Sequence, residues 1–369
     1  MTIKKETTSV LALLLLTTFI SKSSAQTAAK EPVVSRVSLG DRMKAELVNF
    51  KGKVSLFAKN LDTGETYDLG GDDQVRTAST IKIAVMVEAF ARVAEGKAKW
   101  TDELVLTKAA RYNGSGVLPE LSDGLRLTLR DCVNLMMVVS DNTATNMVLD
   151  YLTTDAVNER MNSLGFKQIR IMRRVGSGGE SKEGKDPENK RFGLGRATPR
   201  ELVLLLEKLE RGEVINPVAA KEMIDLMKRE QYHYAIGRTL DVPMATKYGA
   251  LDRLRSAIGI IYTRKGRIAM AITCDDIPAV NWTVDNPGYL LMSRLSLILI
   301  EGLGRDRRKV CRGGPASLLS VLRTFLLDDH TESTDVGMTT KELRCFQLPI
   351  FPDSISFTKS AAFIMRRNG

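Results

Sequence analysis

The sequence predicts an α+β fold in which one antiparallel sheet is built from both chain ends and a helical lobe is inserted between them. Strand patterns occur in two separate regions, residues 53–69 and 242–273, and a long region of mainly helical pattern separates them. A closing apolar helix is predicted from Pro287 to Glu301. We therefore expect the early and the late strands to share one sheet.

The first elements are a helix and a hairpin. Residues 41–50 have the composition of a short helix. Lys53 to Asn60 alternates as a strand, Asp62 to Glu65 has the composition of a turn, and Thr66 to Leu69 returns as a second strand. The predicted hairpin ends just before the central helix.

The centre of the chain is the stretch from Thr77 to Lys82 and the apolar run from Ile83 to Ala94, which ends at Gly96. A run that is apolar on nearly every face is typical of a helix buried inside a domain, and we expect Ser79 in its first turn. Residues three apart share a helix face, so Lys82 is expected to reach the Ser79 hydroxyl and activate it as a nucleophile.

The spacing of Ser79 and Lys82 also has a plain alternative, a capping serine followed by a solvated lysine. The motif has only two fixed letters and is weak by itself. The same spacing recurs at Ser356 and Lys359, where nothing nearby indicates catalysis.

A polar triplet, Ser140-Asp141-Asn142, separates two predicted helices. The first is expected from Leu129 to Val139 with Thr128 as its N-cap, and the second from Thr143 to Leu152. Such triplets most often cap helices, because their side chains bond to nearby backbone groups. This triplet follows a Ser-x-x-Lys motif in a chain that is expected to be exported, and the combination indicates function more specifically than the triplet alone.

The longest stretch without periodicity is Lys167 to Ala197, which predicts a functional or disordered loop. It ends at Thr198-Pro199-Arg200-Glu201, a predicted capping box, and Asn216-Pro217 predicts a further helix start. Strands are expected at Val242 to Tyr248, Ala257 to Thr263 and Arg267 to Thr273, the last two as an antiparallel hairpin. This order places Ser79 at the junction of two lobes, where pockets are common.

The N-terminus predicts export. Lys4 and Lys5, the apolar run Val10 to Ile20 and the small residues Ser23 to Ala25 form the three regions of a signal peptide, with cleavage expected after Ala25. The apolar run is shorter than the roughly 20 residues that a transmembrane helix needs, so we expect no stable membrane insertion. The mature protein is expected to be secreted or periplasmic.

Charge, cysteines and histidines narrow the classes of function. The net charge of +10 is spread along 369 residues, which does not form the basic stripe of a nucleic-acid-binding protein. Cys132 and Cys274 fall in apolar segments and are expected as buried thiols. The remaining cysteines, Cys311 and Cys345, and the two histidines, His233 and His330, lack metal-ligand spacing, so no metal site is expected.

Three motifs carry a family resemblance: Ser79-Thr80-Ile81-Lys82, Ser140-Asp141-Asn142 and Lys247-Tyr248-Gly249. In this order they resemble the signature motifs of class A β-lactamases and penicillin-binding proteins. The likeness covers roughly residues 41–302, and it is closest to the secreted β-lactamase-like serine hydrolases. It implies a β-lactamase/transpeptidase-like fold.

The resemblance also implies a domain organisation. The signal peptide would span residues 1–25, a linker 26–40, and the catalytic domain 41–302. Within that domain the sheet lobe would comprise residues 41–78 and 214–302 and the helical lobe 79–213. An unrecognised tail would follow at 303–369.

The roles implied by the resemblance begin with Ser79, which would attack the lactam carbonyl, while Lys82 acts as base or proton relay. Ser140 would pass the proton to the departing lactam nitrogen, and Asn142 would hold the substrate amide. Lys247 would complement the substrate carboxylate and hold Ser140. No cofactor and no metal are implied. The partner would be a small β-lactam or peptidoglycan-like molecule, and the protein a monomer.

The third motif would also supply backbone to the site. Backbone N–H groups of Ser79 and Ala250 would form the oxyanion hole, with Gly249 between Ala250 and Tyr248 on the substrate-binding strand. Tyr248 replaces the Thr or Ser of the family, so a bulky ring is expected where a small hydroxyl helps to bind the substrate carboxylate.

The long loop lacks the family's glutamate-then-asparagine pattern for the deacylating water. Glu180, Glu183 and Glu188 remain alternative holders of that role, and the remaining alternative is that no residue holds it. Arg253 or Arg255 is a candidate for the positive charge that the family often has behind the lysine strand, and the equal alternative is a solvated arginine on the strand.

Three functions remain open from the sequence. The first is a serine β-lactamase. The second is a penicillin-binding peptidase or esterase that is acylated and releases the acyl group slowly. The third is a non-catalytic module that binds cell-wall fragments or β-lactams.

Overall fold

A computed structural model describes residues 37–304 of the chain. The predicted signal peptide with its cleavage site at Ala25, most of the predicted linker, and the tail from residue 305 onwards lie outside the described residues. The same is true of Cys311, Cys345, His330 and the second Ser-x-x-Lys motif at Ser356. Among residues 37–304, no helix is both long enough and apolar enough to cross a bilayer.

The described residues form α-helices and strands, which are numbered separately in chain order. The helices are α1 (Leu39–Leu47), α2 (Lys82–Ala94), α3 (Leu129–Val138), α4 (Asn142–Leu152), α5 (Thr154–Ser163), α6 (Pro199–Glu210), α7 (Pro217–Met227) and α8 (Pro287–Leu303). The strands are β1 (Lys53–Asn60), β2 (Thr66–Leu69), β3 (Val75–Arg76), β4 (Glu103–Val105), β5 (Arg126–Thr128), β6 (Arg170–Ile171), β7 (Gly195–Ala197), β8 (Met244–Leu251), β9 (Leu254–Thr263) and β10 (Gly266–Asp275).

The main sheet has five antiparallel strands in the order β2-β1-β10-β9-β8. The N-terminal strand β1 therefore pairs with the C-terminal strand β10, with Lys53 opposite Asp275 and Asn60 opposite Ile268. This confirms the predicted α+β fold with one sheet from both chain ends. Strand β8 lies at an edge of the sheet, so one side of its backbone is not paired with another strand of this sheet.

The short strands were not predicted. Strands β3, β7 and β6 form one small sheet, and β4 and β5 form another. All of them except β3 lie within the region whose pattern indicates helices and loops. Strands of two or three residues are too short for a detectable alternation of apolar and polar residues. Their pairing is a result of tertiary contacts.

Two apolar cores lie on the two faces of the main sheet. One contains the buried side chains of α2 to α7, and α2 is buried from Lys82 to Ala91, as expected for a central helix. The other lies between the sheet and helices α1 and α8. Helix α7 begins after residue 213 yet contributes to the first core, and the predicted lobe limit at 213 stays a prediction. Cys132 and Cys274 are buried free thiols, which confirms that expectation.

The cap of α6 corrects one local prediction. Thr198 Oγ accepts from the Glu201 N–H at 3.3 Å, so the N-cap is present. The Glu201 carboxylate does not return to Thr198 as a capping box would require. It accepts from the backbone N–H groups of residues 167–169, with distances of 3.1, 2.7 and 3.1 Å. Glu201 therefore holds the start of the long loop against α6.

Candidate active site

A cleft of about 1370 Å³ opens at Ser79. This is larger than the range of roughly 300–1,000 Å³ that is usual for small-molecule pockets. Its wall includes Ser79, Ser140 and Asn142, and also Tyr248, Gly249 and Ala250 of β8. Six of the eight predicted site residues thus line one cleft, whereas Lys82 and Lys247 are completely buried behind its surface.

Ser79 lies in a turn of 3-10 helix, Ala78–Ile81, and α2 begins only at Lys82. The sequence predicts Ser79 in the first α-helical turn, so the tighter turn is a correction. Ala78 has φ of 47°, a value common for glycine and rare for L-residues other than asparagine, aspartate and histidine. Strained backbone of this kind persists where surrounding contacts over-determine it and is frequent at functional sites. The turn leaves Ser79 half-buried on the cleft wall.

The Lys82 ammonium is bonded to the polar triplet. Its Nζ donates to the carbonyl oxygen of Ser140 at 2.7 Å, to Ser140 Oγ at 3.2 Å and to Asn142 Oδ1 at 3.0 Å. Among the hydrogen bonds of residues 37–304, none joins this ammonium to the Ser79 hydroxyl. The structure therefore brings Lys82, Ser140 and Asn142 into one network, with Ser79 one helical turn before the lysine.

Burial lowers the pKa of Lys82 well below its usual range, because a charged amine is poorly solvated in the protein interior. The nearby cation Lys247 lowers this pKa further, and the carboxylates of Asp141 and Glu230 oppose both effects. The lowered pKa makes the neutral amine accessible at a lower pH than for a lysine in water. A neutral lysine close to a serine can accept a proton, which a lysine in water rarely does.

The turn that carries Ser140 is held by Asp141. The Asp141 carboxylate accepts from the N–H groups of Val117 and Leu118 at 2.7 and 2.9 Å and caps α4 through the N–H of Ala144 at 2.8 Å. Ser140 itself has φ of 53°. The predicted helix break is confirmed, and the capping function belongs to Asp141, which leaves the side chains of Ser140 and Asn142 for the cleft.

Asn142 connects the lysine to the segment that contains Asn113 and Ser115. Its Nδ2 donates to the carbonyl oxygen of Asn113 at 3.0 Å, and its backbone N–H donates to the carbonyl oxygen of Ser115 at 3.0 Å. Both of its amide atoms thus have protein partners while the residue lines the cleft. Its predicted contact with a substrate amide stays a prediction.

Lys247 is paired with a residue that no motif identifies. Its Nζ forms an ion pair with Glu230 and also donates to the carbonyl oxygen of Tyr248 at 3.1 Å. Both side chains of the pair are 0% exposed. Within the described part of the chain no hydrogen bond joins Lys247 to Ser140, and its predicted contacts with Ser140 and a substrate carboxylate stay predictions. Glu230 follows α7 without any periodic signal that marks it as functional.

Tyr248 is anchored beneath the cleft wall. Its hydroxyl donates to the carbonyl oxygen of Ile236 at 2.8 Å, and its ring is 4% exposed within the core between the sheet and α8. Burial is the main cause that raises the pKa of Tyr248 well above its usual value, so the phenol stays neutral. The ring therefore serves mainly to hold the edge strand.

Gly249 allows β8 to approach the nucleophile. A Cβ atom at this position would lie 2.7 Å from the backbone nitrogen of Ser79 and 2.8 Å from the carbonyl oxygen of Thr77. Real Cβ contacts are not this short, so only glycine fits without a shift of the backbone. The close packing brings the backbone of the adjacent residue, Ala250, to the same part of the cleft.

The direction of the β8 backbone bears on the predicted oxyanion hole. The N–H of Tyr248 donates to Glu230 Oε1 at 2.9 Å, and therefore points to the unpaired edge of the strand. Alternate residues of a strand direct their N–H groups to the same side, so the N–H of Ala250 faces that edge as well. This geometry suits the role predicted for Ala250.

The long loop brings none of its candidate glutamates to the cleft. Glu183 binds Arg170 at 2.7 Å and Arg196 at 3.2 Å, and Glu180 and Glu188 are exposed to solvent. The loop contributes Arg173, Val175, Gly176, Gly193 and Leu194 to the cleft wall. The carboxylates on the wall, among the described residues, are Asp252 and Asp276.

Aromatic side chains at the other end of the cleft were not foreseen. Tyr232, Tyr234 and Tyr289 form a row with ring centroids 5.8 and 5.9 Å apart, and Trp282 lies exposed on the same wall. The guanidinium of buried Arg255 lies 4.9 Å from the Trp282 ring centroid. Tyrosines spaced two apart before β8 were the available signal. Of the two arginines considered, Arg253 lines the cleft and Arg255 lies behind it.

The sheet from both chain ends, the inserted helices and the cleft between them define a β-lactamase/transpeptidase-like fold. Residues 38–303 match the model of the β-lactamase enzyme family, and the chain belongs to this family.

Solved structures agree with the fold. A β-lactamase from Sphaerobacter thermophilus is 28% identical, with a TM-score of 0.63, covering 72% of this chain and 96% of that one. The protein PBP-A is 23% identical with a TM-score of 0.62, covering 71% and 94% of the two chains, a likeness of fold alone. The β-lactamases CARB-3 and PSE-4 of Pseudomonas aeruginosa are each 24% identical over 190 residues. Those matches span 51% of this chain and 63% of each relative.

Proposed function

We propose that this protein hydrolyses β-lactams through an acyl-enzyme on Ser79, in the manner of class A serine β-lactamases. Membership of the β-lactamase enzyme family supports β-lactams as the substrate class. The observation that carries the proposal is the position of Lys82, a buried lysine with a lowered pKa, bonded to Ser140 and Asn142 and one turn after a cleft-lining serine.

The first half of the proposed reaction forms the acyl-enzyme. Ser79 Oγ attacks the lactam carbonyl carbon and its proton passes to the neutral amine of Lys82. The N–H groups of Ser79 and Ala250 stabilise the negative oxygen of the tetrahedral intermediate. As the carbon–nitrogen bond breaks, Ser140 donates a proton to the lactam nitrogen and takes one back from Lys82, to which it is hydrogen-bonded.

The second half requires a water molecule to attack the ester carbonyl and release Ser79. A general base accelerates such an attack by roughly 10²–10⁴-fold. The cleft wall carries no glutamate of the long loop, whose residues are all described. This observation favours a second candidate function, a penicillin-binding peptidase or esterase that is acylated readily and deacylates slowly.

Time-resolved intact mass of the full chain after addition of benzylpenicillin tests both candidates. We expect one covalent adduct, mapped to Ser79, and accumulation of hydrolysed penicillin over many turnovers. An adduct that persists without turnover supports the slow-deacylation candidate instead. The Ser79→Ala variant is the control and should acquire no adduct.

Absence of both adduct and product for several β-lactams contradicts both enzymatic candidates. Stabilisation of the unreactive protein by muropeptides or β-lactams, seen as a raised Tm, then supports a non-catalytic binding module.

We propose further that the protein is exported as a monomer to the periplasm or the medium. The leader at residues 1–25 supports export. The expected mature N-terminus is Gln26, which N-terminal sequencing of protein from the cell envelope or medium would detect. A retained Met1 in exported protein, or confinement to the cytosol, contradicts this proposal.

A further inference from the structure

Glu230 is a buried carboxylate that the proposed reaction does not yet use. It is 1% exposed and lies after α7, beyond Met227. One oxygen, Oε1, accepts both the Lys247 ammonium and the N–H of Tyr248. The other oxygen, Oε2, has no hydrogen-bond partner within residues 37–304. The hydrogen bonds of the Glu230 side chain therefore both join it to strand β8, the edge strand next to Ser79.

The Glu230–Lys247 pair is completely buried. In the described part of the chain, Lys247 forms an ion pair only with Glu230, and Glu230 forms an ion pair only with Lys247. A buried ion that loses its counter-ion tends to give up its charge, because solvation cannot compensate for the loss. The charge of Lys247 thus depends on Glu230.

We propose that Glu230 is a positioning residue, which keeps Lys247 cationic beside Lys82 and holds the free edge of β8 against the Ser79 turn. This inference rests on the proposed function for its kinetic consequences. The Tyr248 N–H bonded to Glu230 is two residues before Ala250 and four before Asp252, and both of these residues line the cleft. Glu230 is thus expected to influence the site through charge and through strand position.

The charges of Glu230 and Lys247 both change the pKa of Lys82, and the pH dependence of acylation reports that pKa. Three elements direct charges at Lys82: β8 with Lys247, the turn between α3 and α4 with Asp141, and the segment after α7 with Glu230. Lys247 lowers the pKa of Lys82 and has a larger influence than either carboxylate, both of which raise it. If Lys247 becomes neutral, the pKa of Lys82 rises on balance. If Glu230 alone loses its charge, that pKa falls.

The Glu230→Gln variant distinguishes these cases. Glutamine removes the charge and retains an oxygen that can accept from the Tyr248 N–H. We expect the rising limb of the pH profile for acylation of Ser79 to move up by about one pH unit or more. At a pH on the rising limb, acylation would then slow about tenfold. An unmoved limb, or a limb moved to lower pH, overturns the proposal.

Lysine ¹³Cε NMR provides a readout that does not need catalysis. The Lys247 resonance, assigned with Lys247→Met, should report a charged amine at neutral pH in the unmodified protein and a neutral amine in Glu230→Gln. A charged Lys247 in the variant overturns the proposal whether or not Ser79 is acylated by any β-lactam. Failure of the inference is thereby distinguishable from failure of the proposed function.

A matched control separates these effects from general loss of stability. Glu207 in α6 is also a buried carboxylate, 4% exposed, and its Oε2 binds Lys59 Nζ at 2.7 Å away from the cleft. Glu207→Gln is expected to leave the pH profile unchanged, and an equal shift in this variant contradicts the proposed role of Glu230.

A second variant keeps the test decisive if Glu230→Gln does not fold. Lys247→Met removes the cation directly, so its limb is expected to move to higher pH as well. Acylation that keeps the original pH profile in Lys247→Met also overturns the inference.

Discussion

Replacing Lys82 with methionine is expected to slow acylation of Ser79 by roughly 10²–10⁴-fold, the range for loss of a general base. Methionine approximates the length of lysine and suits the buried position, but it accepts no proton. It also leaves Ser140 Oγ and Asn142 Oδ1 without the donor that now binds them at 3.2 and 3.0 Å. The measurement is the rate of adduct formation with benzylpenicillin by rapid-quench intact mass.

The pH dependence of the acylation rate of the unmodified protein also tests the role of Lys82 as base. Because burial and Lys247 lower the pKa of Lys82, acylation is expected to rise with pH below the usual titration range of lysine and then to level off. A rate that rises only where free lysine titrates would contradict the role of Lys82 as base.

Lys59→Met is the matched control for the lysine substitution. Lys59 is a partly buried lysine of β1 whose ammonium binds Glu207, and it does not line the cleft. We expect unchanged acylation in this variant, with some loss of stability. Acylation of Lys82→Met at the rate of Lys59→Met would remove Lys82 from the mechanism.

Gly249→Ala is expected to lower kcat by about 10²–10³-fold, the effect of losing one oxyanion-hole donor. The added Cβ would lie 2.7 Å from the Ser79 nitrogen and 2.8 Å from the Thr77 carbonyl oxygen. Since both atoms belong to the backbone, neither can move as a flexible side chain would. Strand β8 must shift away from the Ser79 turn, which also moves the N–H of Ala250. Overpacking of this kind typically lowers the free energy of unfolding by about 1–3 kcal/mol.

Gly40→Ala is the control for this substitution. Gly40 lies in α1, and the nearest atom to an added Cβ there is Ser38 Oγ at 3.8 Å. Alanine is a better helix former than glycine, so stability should be unchanged or slightly higher. Steady-state kinetics and urea denaturation of both variants test the prediction. A Gly249→Ala variant with normal kcat would show that the edge strand need not approach Ser79 so closely.

The main elements of the fold were accessible from the sequence because their signals are local. Strand β1 occupies the predicted residues, Lys53–Asn60, and the predicted hairpin appears as β9 and β10. The N-cap at Thr128 is confirmed with a complete capping box. Alternation, apolar runs and capping residues act within a few positions of the chain, which makes them readable without tertiary information.

The structure differs from the prediction made from local sequence where groups distant in the chain bind the same side chain or pack against it. Glu201 has the spacing of a capping box, yet the N–H groups of the long loop take its carboxylate. Ser79 follows a helical pattern, yet the close approach of Gly249 coincides with a tighter 3-10 turn. Propensity contributes a fraction of a kcal/mol per residue, so a few tertiary contacts can reverse it.

By itself the sequence determined which residues carry reactive groups and in what order: Ser79 and Lys82 opening a buried helix, Ser140 and Asn142 at a helix break, and Lys247 on a late strand. Only the tertiary structure decided that Lys82 is bonded to Ser140 and Asn142, that Lys247 forms an ion pair with Glu230, and that Glu183 binds arginines away from the cleft. The physical reason is that a charged group takes its partner from whatever the fold brings within a few ångströms, and neither spacing nor periodicity along the chain encodes that distance.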